Sequence, residues 1–88
     1  MITFAICDDE PRMARELADY LTRDLERRQI KDYSVSRFSG GRALLDSGGG
    51  FDVLFLDVQM EQPDGMETAR QLRLRGERGL LVFVTVLK

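Results

Sequence analysis

The chain contains no histidine. The usual acid–base group near neutral pH is therefore missing. Serine–histidine and cysteine–histidine nucleophile schemes, and histidine-based zinc sites, are excluded with it. Cysteine is almost as scarce: Cys7 stands alone. No internal disulfide can form, and a reducing cytoplasm is the setting that fits. Cys7 lies in an apolar stretch, where a small core residue is expected rather than a reactive thiol. Long apolar runs are missing too. None approaches the roughly 18 residues needed to cross a bilayer. The N-terminus also lacks the basic-then-apolar layout of a signal peptide, so no membrane partner is expected. Neither sign of charge dominates: 13 lysines and arginines face 15 aspartates and glutamates, a net −2. Nothing in that balance favours nucleic acid or a membrane surface as a partner of this chain. Four arginines between Arg70 and Arg78 read as a solvated helix face.

With 88 residues, one domain is the ceiling. Apolar residues at 43% and charged residues at 32% give the balance of a soluble globular chain. Ile2-Thr3-Phe4-Ala5-Ile6-Cys7 is a near-continuous apolar run, the signature of a strand buried on both faces. Asp9-Glu10-Pro11 supplies a helix start, with acids at the positive end and proline near the first helical position. Met13, Leu17, Leu21 and Leu25, with Ala14 and Ala18 beside them, form one apolar stripe of a helix that ends near Arg28. Tyr33–Phe38 alternates with period two and predicts a half-exposed outer strand. Ser39 is placed to cap a short helix through Leu44 and Leu45.

Ser47-Gly48-Gly49-Gly50 breaks the chain. A phosphate-cradling loop would need a lysine and then a serine or threonine after it, and neither follows. Phe51–Leu56 predicts a second central strand, and Pro63-Asp64-Gly65 a turn. Met66, Ala69, Leu72 and Arg73 lie on one side of a third helix that closes near Gly76. Leu80–Leu87 predicts a last apolar strand. The order β-α-β-α-β-α-β implies an α/β fold, a parallel sheet with helices on both faces.

All strands of a parallel sheet finish on one edge, and ligands bind outside those carboxyl ends. Asp8 and Asp9 follow the first strand, Asp57 follows the third, and Thr85 ends the last apolar run. Three carboxylates gathered there repel one another. At an effective dielectric of ~20, two unit charges 4 Å apart cost about 4 kcal/mol. That cost calls for a cation, and magnesium suits an all-oxygen ligand set. The plainer reading is that strand-end aspartates cap helices and start turns. A carboxylate at position 57 can also attack phosphorus to form an acyl phosphate. The protein's part in such a transfer is mainly positioning and charge neutralisation, to which Thr85 could add a hydrogen bond.

Ile6-Cys7-Asp8-Asp9-Glu10, Leu56-Asp57-Val58-Gln59-Met60, Asp64-Gly65-Met66-Glu67-Thr68-Ala69-Arg70 and Val82-Phe83-Val84-Thr85 resemble the receiver domain of two-component response regulators. These segments arrive in that family's order and spacing, over nearly the whole chain. The resemblance implies a flavodoxin-like three-layer α/β/α fold with strand order 2-1-3-4-5. It implies a signalling switch rather than an enzyme, with Asp57 taking a phosphoryl group from a histidine kinase. Asp8, Asp9, Asp57 and the backbone carbonyl of Gln59 would bind Mg2+, and Thr85 would be the switch hydroxyl. The start Cys7-Asp8-Asp9-Glu10 is similar to the branch whose regulators carry LytTR-type DNA-binding domains.

Two departures stand out. Glu61 occupies a position where the family usually has proline, which adds a negative charge near the site and removes a rigid turn. The chain also stops at Lys88, before the family's final helix-strand-helix and the lysine that this portion carries. Lys88, three residues past Thr85, is not that lysine. Residues 1–88 are thus expected to form a single, incomplete receiver domain in which acyl-phosphate formation is slow or absent. The segment Leu80–Leu87, without charge or proline, would be an open sheet edge. It is expected to pair with or exchange elements with a second copy, unless the chain is a fragment. Two further readings remain. One is a receiver-fold interaction module that works without phosphorylation. The other is a magnesium-dependent phosphohydrolase, which would want a second aspartate two residues after the first, where Gln59 stands.

Overall fold

The computed structural model describes residues 1–85. Seven elements alternate along them: β1 (Ile2–Cys7), α1 (Pro11–Arg27), β2 (Tyr33–Phe38), α2 (Gly41–Asp46), β3 (Val53–Asp57), α3 (Gly65–Leu74) and β4 (Leu80–Val84). The strands form one parallel sheet in the order β2-β1-β3-β4. From β1 the chain steps outward to β2, then crosses back over β1 to β3. Right-handed crossovers with that reversal put α1 on one face and α2 and α3 on the other. This is the expected three-layer arrangement, and the two central strands, β1 and β3, are the most buried, above all at their carboxyl ends.

The face under α2 and α3 is closed. Ala5 and Cys7 of β1, Leu54 and Leu56 of β3, Leu44 and Leu45 of α2, and Ala69 and Leu72 of α3 pack into one buried cluster with Met60. The opposite face carries Phe4 beside Val53 and Leu80, and Ile6 beside Phe55 and Val82. There α1 packs on β1 and β2. It buries Ala14 and Leu25 fully, while Met13, Leu17, Ala18 and Leu21 are half-buried. β2 is half-exposed, as its alternation predicts. Among the described residues β4 pairs with β3 alone and leaves Leu80 and Phe83 exposed. Residues 86–88, the end of the run expected to form its edge, lie outside the described residues.

Three local expectations are corrected. Ser39 does not cap α2: the N-cap is Gly40, with no side-chain cap. Pro63-Asp64-Gly65 is more than a turn, because Asp64 is the N-cap of α3 and its carboxylate accepts the Glu67 amide at 2.9 Å. Met66 does not face the core; it is 57% exposed, and Thr68 takes the buried place instead. Two of the arginines at the end of α3 do more than meet solvent. Arg73 donates to the carbonyls of Glu77 and Gly79, and Arg75 reaches across to the Leu45 carbonyl.

Candidate acidic site at the carboxyl ends of the strands

Cys7 is opposite Leu56 in the β1–β3 ladder. The next residues, Asp8 and Asp57, are therefore level with each other on neighbouring central strands. Asp9 follows in the loop to α1. One carboxylate oxygen from each of the three lies within 4.8 Å of the others. Asp57 is 2% and Asp8 is 7% exposed, while Asp9 is exposed to solvent. The sequence-based convergence of these three residues is the observed geometry.

Each carboxylate is aimed by a backbone amide. Asp8 Oδ1 accepts from Glu10 N at 2.9 Å and Asp57 Oδ1 from Gln59 N at 3.0 Å. Both bonds reach two residues forward, the turn geometry that aspartate makes readily. Asp9 Oδ2 accepts from Glu61 N at 3.3 Å, which ties the loop after β1 to the loop after β3. A proline at position 61 could not supply that N–H. The departure at Glu61 thus gives the site a donor as well as a charge on an exposed side chain.

Gly65 sets the rear wall. A side-chain carbon there would run into the Asp57 carbonyl oxygen and stand 2.9 Å from Val58 Cα. The first residue of α3 can press against the backbone of the acidic strand end only because it has no Cβ. This role was not apparent from the sequence, where Asp-Gly reads simply as a turn. Thr68 was missed as well; its hydroxyl donates to the Pro63 carbonyl at 3.4 Å within the buried α2–α3 contact. A threonine one turn after an Asp-Gly start is the only signal the sequence offers for it.

Cys7 lies directly behind the carboxylates and is 1% exposed. Burial first, then the charges of Asp8, Asp57 and Asp9, push its thiol up to about 12. Its Sγ–H points to Met60 Sδ at 3.7 Å. A neutral, engaged thiol leaves the site with oxygen donors, which is the ligand set of a hard divalent cation. Gln59 is exposed and reaches the site through its amide. Val84 pairs with Asp57, and its carbonyl accepts from Val58 N at 3.2 Å. Thr85, exposed, therefore stands one residue beyond the Asp57 rung.

Residues 4–88 match the response regulator receiver domain family. The chain belongs to that family, whose members are the switch domains of two-component signalling. One curated relative is the transcriptional regulatory protein ResD of Bacillus subtilis (strain 168), 31% identical over 70 residues. That match covers 77% of this chain and 26% of ResD, so the chain spans about a quarter of that relative's length. Among solved structures, the response regulator TrrA of Thermotoga maritima in complex with Mg(2+)-BeF superposes with a TM-score of 0.81 at 22% identity. It is matched by 100% of this chain over 72% of its own. TrrA bound to the histidine kinase ThkA gives a TM-score of 0.79 with the same identity and coverage. Chemotaxis protein CheY4 of Vibrio cholerae gives 0.77 at 22% identity, over 100% of this chain and 71% of its own. These likenesses establish the flavodoxin-like receiver fold.

Proposed function

We propose that the acidic site is a phosphoacceptor centre in which Asp57 takes up a phosphoryl group from a sensor histidine kinase. The observation that carries this reading is the gathering of Asp8, Asp9 and Asp57 within 4.8 Å at the sheet's carboxyl edge. Like charges held this close, two of them buried, cost free energy that a cation offsets. Asp8, Asp9, Asp57 and the backbone carbonyl of Gln59 would hold Mg2+. When bound, the ion draws charge from the phosphoryl oxygens. TrrA, with the same fold, was crystallised with Mg(2+)-BeF and also with a histidine kinase. Those facts concern TrrA and support the choice of ion and partner here.

The chain's own residues do the rest. Gln59 N donates to Asp57 Oδ1 and so orients the carboxylate, one oxygen of which is the nucleophile. That oxygen attacks phosphorus, the bond from phosphorus to the donor breaks, and the donor leaves with the electron pair. Thr85 serves as the hydroxyl that answers the new charge at Asp57. The product is a stoichiometric switch, not a turnover catalyst, and its setting is the cytoplasm. Among the described residues no helix is long and apolar enough to cross a membrane. Residues 1–88 act as one receiver domain, and the uncharged edge of β4 is where a second copy would pair.

The test is intact-mass measurement after incubation with Mg2+ and acetyl phosphate. A slow gain of one phosphoryl group, lost in Asp57→Asn, is the expected result. A gain that persists in Asp57→Asn removes that residue from the role. Saturable Mg2+ binding with no gain at all selects the phosphorylation-independent interaction module.

A further inference from the structure

Most arginines of the chain have partners. Arg12, Arg27, Arg28, Arg42 and Arg70 each pair with a carboxylate about one helical turn away. Arg73 and Arg75 are bound to backbone carbonyls. Arg15, Arg23, Arg37 and Arg78 are different, and of these Arg15 and Arg37 come together. Both are exposed, and neither has a hydrogen bond or ion pair among the described residues. Both line one cleft of ≈ 380 Å3, together with Ser39, and another part of its wall is Asp8.

The fold explains why they meet. Arg37 is opposite Ile6 in the β1–β2 ladder, so it stands on the face that carries α1. Arg15 is in the second turn of α1, beside buried Ala14. Ser39 follows β2 directly. The cleft therefore opens between the start of α1 and the end of β2, on the other side of β1 from Asp57. Glu10, the N-cap of α1, makes no side-chain cap, so the positive end of the helix dipole adds to the two guanidinium charges. Arginine forks match oxyanions of carboxylate or phosphate geometry. An incoming phosphoryl donor must approach a site already rich in carboxylates, and a cationic cleft beside Asp8 would offset that repulsion.

We propose that this cleft is an oxyanion subsite, in which Arg15, Arg37 and the Ser39 hydroxyl hold a phosphate-class group beside the acidic centre. Its purpose rests on the phosphoacceptor reading: it stages the donor's phosphoryl group before transfer. The group has two possible sources, a free small phosphodonor or a phosphorylated side chain of a protein donor.

Two measurements decide the matter. In the first, inorganic phosphate is titrated into the full Asp57→Asn chain, a substitution that removes the transfer chemistry. Amide spectra should show saturable shifts at Arg15, Arg37 and Ser39, with affinity reduced at least tenfold by Arg15→Gln/Arg37→Gln. Arg37→Lys should restore part of it. Shifts confined to the loops around Asp9 and Gln59 and unchanged by the double variant would overturn the proposal. In the second, the double variant carrying Asp57 is followed by mass against acetyl phosphate concentration and against a phosphorylated histidine kinase. Half-saturation moved several-fold higher with the small donor, at unchanged limiting rate, assigns the subsite to free donors. Slower transfer from the kinase alone assigns it to the protein donor. No change with either contradicts the subsite. Absence of any mass gain in the unsubstituted chain would fall on the phosphoacceptor reading, while the phosphate titration would still decide the cleft. Both arginines are exposed, so a dispersed spectrum of the variant confirms that the fold is intact.

Discussion

At the amino ends of the strands, Asp52 receives the Thr3 amide at 2.8 Å and the Thr3 hydroxyl at 3.1 Å. Those two bonds, the amide first, hold its carboxyl below the usual carboxylate range. Glu77 receives the amides of Gly50 and Phe51 at 2.9 and 3.1 Å and so anchors the glycine-rich turn, where Gly48, Gly49 and Gly50 all have positive φ. At the carboxyl ends the same kind of group is used in the opposite way. Asp8, Asp9 and Asp57 are brought against one another, two of them out of solvent. One end of the sheet uses acids as acceptors that close loops. The other concentrates negative charge and is stable in that form only to the extent that a cation or the surrounding fold offsets the repulsion. The proposed function occupies the end where the charges conflict.

The largest expected effect tests whether the two ends are separable. Gly65 and Gly79 hold equivalent tight places, Gly65 against Asp57 and Val58, and Gly79 against the carbonyls of Phe51 and Asp52. Replacing either with alanine forces backbone to move and should cost about 1–3 kcal/mol in chemical denaturation. Only Gly65→Ala should also weaken Mg2+ binding, by roughly tenfold, one such factor being about 1.4 kcal/mol. Equal loss of Mg2+ affinity in both variants would erase the distinction.

The next effect concerns sign. Without Mg2+, Asp57→Asn should stabilise the chain by on the order of 1 kcal/mol, because it removes one of three mutually repelling charges. Asp52→Asn should lower the melting temperature instead, since it turns charge-assisted bonds from Thr3 into weaker neutral ones. Adding Mg2+ should raise the melting temperature of the unsubstituted chain and of Asp52→Asn much more than that of Asp57→Asn. A destabilised, still Mg2+-responsive Asp57→Asn would break the comparison.

The smallest effect lies outside both ends and calibrates them. The Arg70 guanidinium first, then Gln71, hold the exposed Glu67 carboxyl down to about 2. A depressed carboxyl contributes stability that is present above its unfolded value of 4.5 and is lost as pH falls through about 2. The small difference in melting temperature between the chain and Glu67→Gln should be constant above pH 5 and vanish toward pH 2. A difference that grows in acid would reverse the assigned sign.

Much of this was legible in the sequence for a physical reason. Strands reveal themselves by period and apolar content, and a parallel sheet forces their carboxyl ends together. The meeting of Asp8, Asp9 and Asp57 therefore follows from three strand ends and one topology. What was hidden depends on contacts across the fold. The phase of α3 is set where Gly65 meets the Asp57 backbone and where Thr68 faces Gly41, whose own Cβ would run into the Thr68 hydroxyl. Apolar type alone put Met66 inside and left Thr68 out. The cap of α2 fell on Gly40 rather than Ser39, one residue later than side-chain preference suggests. The cleft of Arg15 and Arg37 joins a helix to an outer strand and becomes visible only once the β1–β2 register is known.

Three amides report separately on the three carboxylates: Glu10 on Asp8, Gln59 on Asp57 and Glu61 on Asp9. An amide-resolved Mg2+ titration of the full chain therefore tests the central claim directly. All three signals are expected to shift along one saturable curve with a common dissociation constant, and to lose that shared response in Asp57→Asn. Independent, non-saturating shifts at the three amides, or none, would mean that these acids form no common cation site.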